Sequence, residues 1–172
     1  MNVLPWLRKW TVPALAMCCL LGSAAAQETP AVKFVSTAAG PRPMEEQTAR
    51  SVVRDYGEAW RALAEASKQS RPDLLGPYFV GAGRESLSQG LKDQQKNGMR
   101  TRYLNQTHSL EALFYAPEGD ILQLQDTADY QFRVLSDDQV VHDEHVVVRY
   151  IVLMTPGADR WVVRQMQAVP AQ

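Results

Sequence analysis

The stretch Val146–Met154, VVVRYIVLM, is the longest apolar and β-branched run of the chain outside the first 26 residues. Valine and isoleucine have restricted χ1 angles and pack well on a pleated surface, so the run predicts a β-strand. At about 3.3 Å per residue it spans about 30 Å, the length of a central strand. Because both faces of this strand are rich in apolar side chains, we expect both to be covered, or the strand to lie against a second layer and a partner.

Three other strands are predicted around this one. The segment from Thr101 to Phe114 and the segment Leu122–Val134 alternate between apolar and polar residues, and Arg160–Val169 forms the last strand. Turns rich in Pro, Gly, Asp and Ser separate the strands. Because such short turns join neighbouring strands, we expect an antiparallel meander.

Helical periodicity precedes the sheet. Glu45–Ser67 places its apolar side chains at three- and four-residue spacings and so on one face: Val52, Val53, Tyr56, Trp60 and Leu63. A second helix is expected from about Arg84 to Lys96 and ends at Asn97–Gly98, which tolerate a left-handed backbone. The chain therefore predicts an α+β fold, in which N-terminal helices pack on a curved antiparallel sheet of about four strands. Such a sheet curls around the first helix and can leave a cone-shaped cavity.

Residues 1–26 have the three parts of a secretory signal peptide. Positive charge comes from Arg8 and Lys9, an apolar stretch covers Val12–Leu21, and small residues precede a cleavage site near Ala26. We therefore expect a secreted or periplasmic protein that has no stable membrane span after the leader is cleaved.

Two alternatives for the leader stay open. It could remain as a membrane anchor, although its apolar stretch is shorter than the roughly 20 residues that span a bilayer. It could also belong to a lipoprotein, although Met17 rather than a small residue precedes Cys18. Cys18 and Cys19 are the only cysteines, so cleavage at Ala26 leaves a mature chain without a disulfide or a thiol nucleophile.

The mature chain divides into a linker and one domain. Residues 27–43 are rich in proline and small residues and are expected to form a flexible tether, although Phe34 and Val35 could dock onto the domain. Residues 44–170 are long enough to bury one core without covalent staples. The leader holds two of the 18 basic side chains and none of the 19 acidic ones, so the mature part carries three more acidic than basic side chains. This balance, without clusters of Lys and Arg, argues against a nucleic-acid partner.

Asp126 and His108 are the candidate catalytic residues, because each interrupts the apolar face of its strand. A buried carboxyl group costs several kcal/mol unless it is paired. With the hairpin turn centred near Glu118, His108 is expected opposite Ala128 and diagonal to Asp126 and Tyr130. An Asp–His pair in a cavity can act as an acid–base couple, whereas in a closed core it is a structural pair.

The segment His142-Asp143-Glu144-His145 resembles a metal-binding cluster in composition. On a strand, however, His142 and Glu144 point to one face and Asp143 and His145 to the other. Each face then offers two ligands, fewer than the three or four of a zinc site. We therefore expect no metal and no other cofactor. The sequence also lacks the common dinucleotide-, phosphate-, hydrolase- and metalloprotease-type motifs.

Five short segments are similar to a known family: Tyr56–Trp60, Leu74–Leu75, Gly98–Tyr103, Arg149–Val152 and Arg160–Val163. In one-letter code they are YGEAW, LL, GMRTRY, RYIV and RWVV. Together with the order of the elements, they resemble the nuclear-transport-factor-2-like (cystatin-like α+β) superfamily. Within it, the chain is most similar to the IMS-type domain of plastid-division proteins and their cyanobacterial relatives.

The resemblance covers roughly residues 48–166 and implies the cone-shaped fold. The superfamily includes isomerases, cyclases and dehydratases as well as non-enzymatic binding and scaffold domains, so the fold does not imply one function. It also implies an isologous homodimer through the polar outer face of the sheet. The side chains expected on that face include Gln123, Gln125, Thr127, Gln131 and Arg133.

The sequence thus favours an exported, non-enzymatic binding or interaction domain. A cone cavity would take a small apolar ligand between these side chains: Tyr56, Trp60, Tyr78, His108, Asp126, Tyr130 and Tyr150. The outer sheet face would take a protein partner. The alternatives are a small lyase or isomerase that uses Asp126 and His108, and a purely structural envelope protein with a filled core.

Overall fold

The computed structural model describes residues 29–37 and 40–169 of the 172-residue chain. The signal peptide predicted for residues 1–26 lies outside this part. Within it, no helix is long and apolar enough to cross a membrane.

In the described part of the chain, both long helices precede the four main strands of the sheet. In chain order the elements are β1 (Ala31–Ser36), β2 (Gly40–Pro41), α1 (Glu46–Gln69), a 3-10 turn (Pro72–Leu75), α2 (Gly81–Lys96), β3 (Met99–Tyr115), β4 (Leu122–Ser136), β5 (Gln139–Pro156) and β6 (Trp161–Val169). These bounds agree with the predicted helices and strands to within a few residues, except that β5 begins earlier than the apolar run that predicts it.

The described strands form one mixed sheet. Its order is β1-β3-β4-β5-β6, and β2 also pairs with β3. Strands β3 to β6 form the predicted antiparallel meander, whereas β1 and β2 run parallel to β3. The α+β class is therefore confirmed, and the predicted count of about four strands is too low.

The additional strands come from residues 27–43, the segment predicted to be a flexible linker. β1 pairs with β3 along its length, and its Val32 and Phe34 side chains pack against the core. A short segment with proline on both sides has little local strand signal. The strand forms because β3, far along the chain, offers it an edge and an apolar surface, which local pattern does not reveal.

The register of β3 and β4 agrees with the register predicted from the hairpin turn. His108 lies opposite Ala128, and Asp126 lies opposite Leu110. All four residues are buried. The two candidate catalytic residues therefore share the inner face of the sheet on neighbouring strands.

Two irregularities interrupt the alternation of β3. The first lies between Leu104 and Thr107, where Asn105 has a φ of 53°, a left-handed backbone that asparagine tolerates. The second precedes Phe114. Consequently the Phe114 side chain is exposed at the outer face rather than buried with His108.

β5 is a central strand over only half of its length. It pairs with β4 from Gln139 to Met154, but β6 pairs only with Arg149–Pro156. The preceding residues, Gln139–Val148, therefore form an edge among the described strands. The outer face of β5 is also open, since Val147 is 60% exposed. Within the described part of the chain, only the inner face of this strand is covered, and cover of the outer face by a partner stays a prediction.

Helix α1 lies across the inner face of the sheet. Its Val52, Tyr56, Trp60 and Leu63 side chains are buried, and each such burial contributes about 1.5–3 kcal/mol. They meet inner-face side chains of the meander: Leu110, Leu122, Leu124, Ala128, Val152, Met154 and Val163. Asp55 of the same helix accepts a hydrogen bond from the backbone N–H of Trp161 at 2.8 Å, which ties the helix to the start of β6.

Helix α2 packs on β6 through a glycine. Gly83 is buried, and a Cβ at this position would lie 3.0 Å from the backbone oxygen of Arg164, closer than side chains normally approach. Gly90 of the same helix faces open space. The distance between α2 and β6 therefore depends on the missing side chain at Gly83.

We expect Gly83→Ala to lower the free energy of unfolding by about 1–3 kcal/mol, because the added methyl group must push α2 away from the backbone of β6. Gly90→Ala is the matched control and should raise that free energy by about 0.5–1 kcal/mol, because alanine favours the helix and restricts the unfolded chain. Urea unfolding followed by circular dichroism measures both. Equal effects of the two substitutions would contradict the packing role of Gly83.

Candidate functional site

A buried hydrogen-bond network joins α1 to the sheet. Oδ2 of Asp126 accepts a hydrogen bond from the Tyr56 hydroxyl at 2.8 Å and lies 2.8 Å from Nδ1 of His108. The side chains of His108 and Asp126 are 0% exposed, and Tyr56 is equally buried. Three elements supply one member each: α1 carries Tyr56, β3 carries His108 and β4 carries Asp126. The structure thus brings the predicted pair within hydrogen-bond reach.

Aromatic rings enclose this network. The Trp60 ring lies over the imidazole of His108 with 4.5 Å between ring centroids, and Tyr56 meets the same imidazole edge-on at 5.9 Å. The rings of Tyr130 and Tyr150 lie 5.8 and 5.6 Å from that of Trp60, and their hydroxyl oxygens are 2.8 Å apart. Side chains therefore fill the space around the Asp–His pair.

One surface groove of about 350 Å³ borders the network beside β1. Its lining residues are Ala31, Val32, Lys33, Thr107, His108 and Ser109. Although His108 contributes to this lining, its side chain is 0% exposed, so the groove does not open onto the imidazole. A substrate would have to displace packed side chains to reach Asp126 from this groove.

Two atoms of the pair have no hydrogen-bond partner among the described residues. They are Nε2 of His108 and Oδ1 of Asp126, and both are buried. A buried polar atom without a partner costs about 1–3 kcal/mol. These two atoms therefore destabilise the core, although the hydrogen bonds of the network link α1, β3 and β4. Both structural and catalytic pairs can contain such unpaired atoms.

The tyrosines around the network are held in their neutral form. Burial raises the pKa of Tyr56, and the neighbouring carboxyl group of Asp126 raises it further. Burial also raises the pKa of Tyr150, with the hydrogen bond to Tyr130 as the second cause. At neutral pH these hydroxyls therefore act as hydrogen-bond donors rather than as bases.

Tyr78 is the one predicted pocket residue that lies apart from the other six. Its hydroxyl is 3.5 Å from Oε2 of Glu58, and the guanidinium of Arg160 lies 5.1 Å above its ring. Its backbone oxygen accepts a hydrogen bond from the N–H of Val163 at 2.8 Å. This pairing with β6 holds Tyr78 beside Glu58 of α1 and Arg160, and Tyr78 takes no part in the hydrogen bonds of the Asp–His pair.

Sequence reasoning misses Tyr103, which belongs to the aromatic cluster. Its ring lies 5.9 Å from Trp60 and 5.4 Å from Tyr130, and burial raises its pKa. Strict alternation along β3 places Tyr103 on the face opposite His108. The irregularity at Asn105 shifts the alternation by one and returns both side chains to the inner face. An asparagine inside a strand pattern is the signal that could have revealed it.

The segment His142–His145 forms separate pairs on the two faces of β5. Nε2 of His142 lies 3.2 Å from Oε2 of Glu144. On the other face, Nε2 of His145 lies 2.7 Å from Oδ1 of Asp129, and Arg133 donates to Asp143. No group of three or more His, Cys, Asp or Glu residues in ranges 29–37 and 40–169 is placed to hold a metal.

The outer face of the sheet is built from alternate positions of the meander. The side chains predicted to lie on this face belong to β4. They alternate along the strand with Asp126 and the other inner-face residues. Thr127, at the middle, lies between Ser109 of β3 and Arg149 of β5. Thr127 and Arg149 are exposed. This face is thus a broad surface of mixed polar and apolar side chains.

We expect Tyr56→Phe to lower the free energy of unfolding by about 1.5–3 kcal/mol, because it removes a buried hydrogen bond to a carboxyl group while keeping the ring. The control is Tyr130→Phe, which removes a hydrogen bond between two hydroxyls and should cost about 0.5–1.5 kcal/mol. Urea unfolding of both variants gives the comparison. A Tyr56→Phe variant as stable as the parent would mean that the network does not link helix and sheet.

No family model and no curated protein match the chain. Solved structures do share its fold. The intermembrane space region of chloroplast protein ARC6 superposes with a TM-score of 0.61 at 12% sequence identity, over 76% of this chain and 100% of that one. A structure from Catenulispora acidiphila superposes with a TM-score of 0.52 at 11% identity, over 72% of this chain and 94% of that one. At such identities the similarity concerns the fold alone, and it supports the IMS-type fold that the sequence resembles.

Proposed function

We propose that this chain is an exported, single-domain interaction module of the nuclear-transport-factor-2-like superfamily, which acts by binding rather than by catalysis. The observation that carries the proposal is the closed interior. The side chains of Asp126 and His108 are 0% exposed, and aromatic rings pack around them. A structural role accounts for the pair without any substrate, because it links α1, β3 and β4.

The alternative function is that of a small lyase or isomerase. It is favoured by the 2.8 Å distance between His108 and Asp126, which suits an acid–base couple. Such an enzyme would also need an entrance and space beside the pair for a substrate. A small apolar ligand would need the same space, which Trp60 and Tyr130 occupy. The interaction module requires neither.

The outer face of the sheet is the surface we assign to partner binding. It combines the apolar Val147 and Ile151 with polar Thr127, Gln125 and Arg149. Protein interfaces have this mixed character, with a few apolar and arginine side chains among polar ones. A second copy that binds there would form the isologous homodimer that the resemblance implies.

Export is part of the proposal and is supported by two independent observations. The first 26 residues have the composition of a signal peptide. In addition, a domain of the same fold is the intermembrane space region of ARC6. Both fit a domain that works outside the compartment in which it is made.

Chemical modification of the three histidines tests the closed interior. We expect diethyl pyrocarbonate to modify His142 and His145, which are exposed, while His108 reacts at least tenfold more slowly in the native protein. Mass spectrometry of peptides quantifies each site, and urea-unfolded protein shows that His108 can react. Equally fast modification of all three histidines in the native protein would favour the enzyme alternative.

A photo-crosslinking amino acid at Thr127 tests the binding surface in cells that make the protein. We expect light-dependent adducts of a few defined masses at Thr127. The matched control position is Ser86, an exposed residue of α2, where adducts should stay at background. Circular dichroism of both variants verifies the fold. Adducts in equal yield at both positions, or at neither, would contradict the assignment of the outer face.

A further inference from the structure

The part of β5 that extends beyond β6 is an open edge. β6 pairs with β5 only from Arg149 onward, so Gln139–Val148 has β4 on one side and no described strand on the other. An open edge presents unpaired backbone N–H and C=O groups to any extended segment. This edge is separate from the centre of the outer face, and the inference drawn from it goes beyond the proposed function.

The side chains of this edge are arranged almost symmetrically. Residues 140–147 have the sequence VVHDEHVV, in which two valines on each side flank a charged centre. Val141 and Val147 are 59% and 60% exposed. Apolar side chains as exposed as these are uncommon on an edge that has no partner. Because valines lie on both sides of the charged centre, the valines of one side can pack on those of the other side when two copies pair in antiparallel direction.

The charged centre makes the edge selective. Lysines, charged side chains and bulges normally protect open edges from indiscriminate pairing. Here a register shift lies beside Val140, and His142–His145 carries both acidic and basic groups. A partner strand must therefore offer opposite charges at matching positions, and this requirement excludes most extended segments.

We propose that two copies of this chain associate through antiparallel pairing of their β5 edges, with Glu144 at the twofold axis. A continuous sheet requires outer-face residues to lie opposite outer-face residues, so odd-numbered positions of one copy face odd-numbered positions of the other. With Glu144 at the centre, Asp143 faces His145 of the second copy, and Val147 and Val148 of the second copy lie against Val140 and Val141, where the register of β5 shifts. Symmetry repeats these contacts.

The competing register is less favourable. With Asp143 at the centre, two Asp143 side chains would face each other, His142 would face Glu144 of the second copy, and of the valines only Val140 and Val146 would face each other. Like charges directly opposite each other destabilise a strand pair, whereas opposite charges and apolar pairs stabilise it by about 0.2–1 kcal/mol each. The Glu144 register likewise has one pair of facing acidic groups and two His–acid pairs, but it brings both Val140 and Val141 against Val148 and Val147 of the second copy.

The contacts that Asp143 and His145 make within one copy leave both side chains able to contact a second copy in this register. Asp143 accepts hydrogen bonds from Arg133 and Gln131 of β4, and His145 contacts Asp129 of β4. These bonds hold the side chains on the outer face, where a cross-strand partner meets them. A carboxylate has further acceptor positions, so Asp143 can contact both β4 and the second copy.

An edge pair of this length buries little surface, so the dimer belongs to the class of weak and reversible complexes. In it, the two outer faces lie on the same side of one continuous sheet. A partner with two binding segments could then contact both faces at once, and its apparent affinity would rise without any new contact.

The test uses single cysteine substitutions in the full chain with Cys18→Ser and Cys19→Ser, which leaves no other cysteine. Glu144→Cys should form a disulfide-linked dimer under mild oxidation, because the two copies of this residue face each other at the twofold axis. Asp143→Cys is the matched control. It should crosslink roughly tenfold more slowly, because its two copies lie too far apart for a relaxed disulfide. Faster crosslinking of Asp143→Cys, or equal rates, would overturn the proposed register.

Sedimentation velocity over a wide concentration range measures the association without crosslinks. We expect Val141→Lys to abolish the concentration-dependent dimer, because it places a charge against the valines of the second copy, and Val141 does not belong to the outer-face surface assigned above. Val35→Lys is the control, since Val35 is 62% exposed on β1 and lies outside the edge. A parent protein that stays monomeric, or a dimer that both substitutions leave intact, would overturn the proposal. Neither result bears on the Thr127 adducts, so a failure of this inference is distinguishable from a failure of the proposed function.

Discussion

The structure depends on the carboxyl group of Asp126 at the centre of its core. Removing this group from water costs several kcal/mol, and hydrogen bonds to Tyr56 and His108 offset that cost only when α1, β3 and β4 hold one arrangement. An apolar core would tolerate small displacements of the helix along the sheet, whereas this network does not. We therefore regard the pair as a device that selects one packing of α1 on the sheet, a role that buried polar groups have in some proteins.

The same network limits what the domain can do. Trp60 and Tyr130 lie against the polar centre, so the cone expected for this fold is occupied by the protein's own side chains. Because the cone is filled, the proposed binding takes place at the surface rather than in the interior. There the sheet exposes its outer face and the open edge of β5. Binding through the sheet then requires no change in the core.

The two halves of β5 lie in different surroundings. Its C-terminal half lies between β4 and β6 and buries Val152 and Met154. Its N-terminal half extends past β6 and exposes Val141 and Val147. The strong strand signal of VVVRYIVLM arises from both halves, because β-branched residues favour strands whether their side chains face a core or a partner. Strand propensity therefore located β5 but did not indicate which part of it is covered.

Local pattern by itself determined the order of the helices and the meander, the register that places His108 opposite Ala128, and the unusual position of Asp126 on an apolar face. These features depend on residues close in the chain and on short turns, which sequence periodicity captures. Only the tertiary structure decided that residues 31–36 join the sheet, that Tyr103 turns inward after Asn105, and that Tyr78 lies apart from the network. Each of these depends on a contact between segments distant in sequence or on a local break in alternation. A periodic pattern contains no information about either, because the free energy that stabilises them comes from surfaces that exist only in the folded chain.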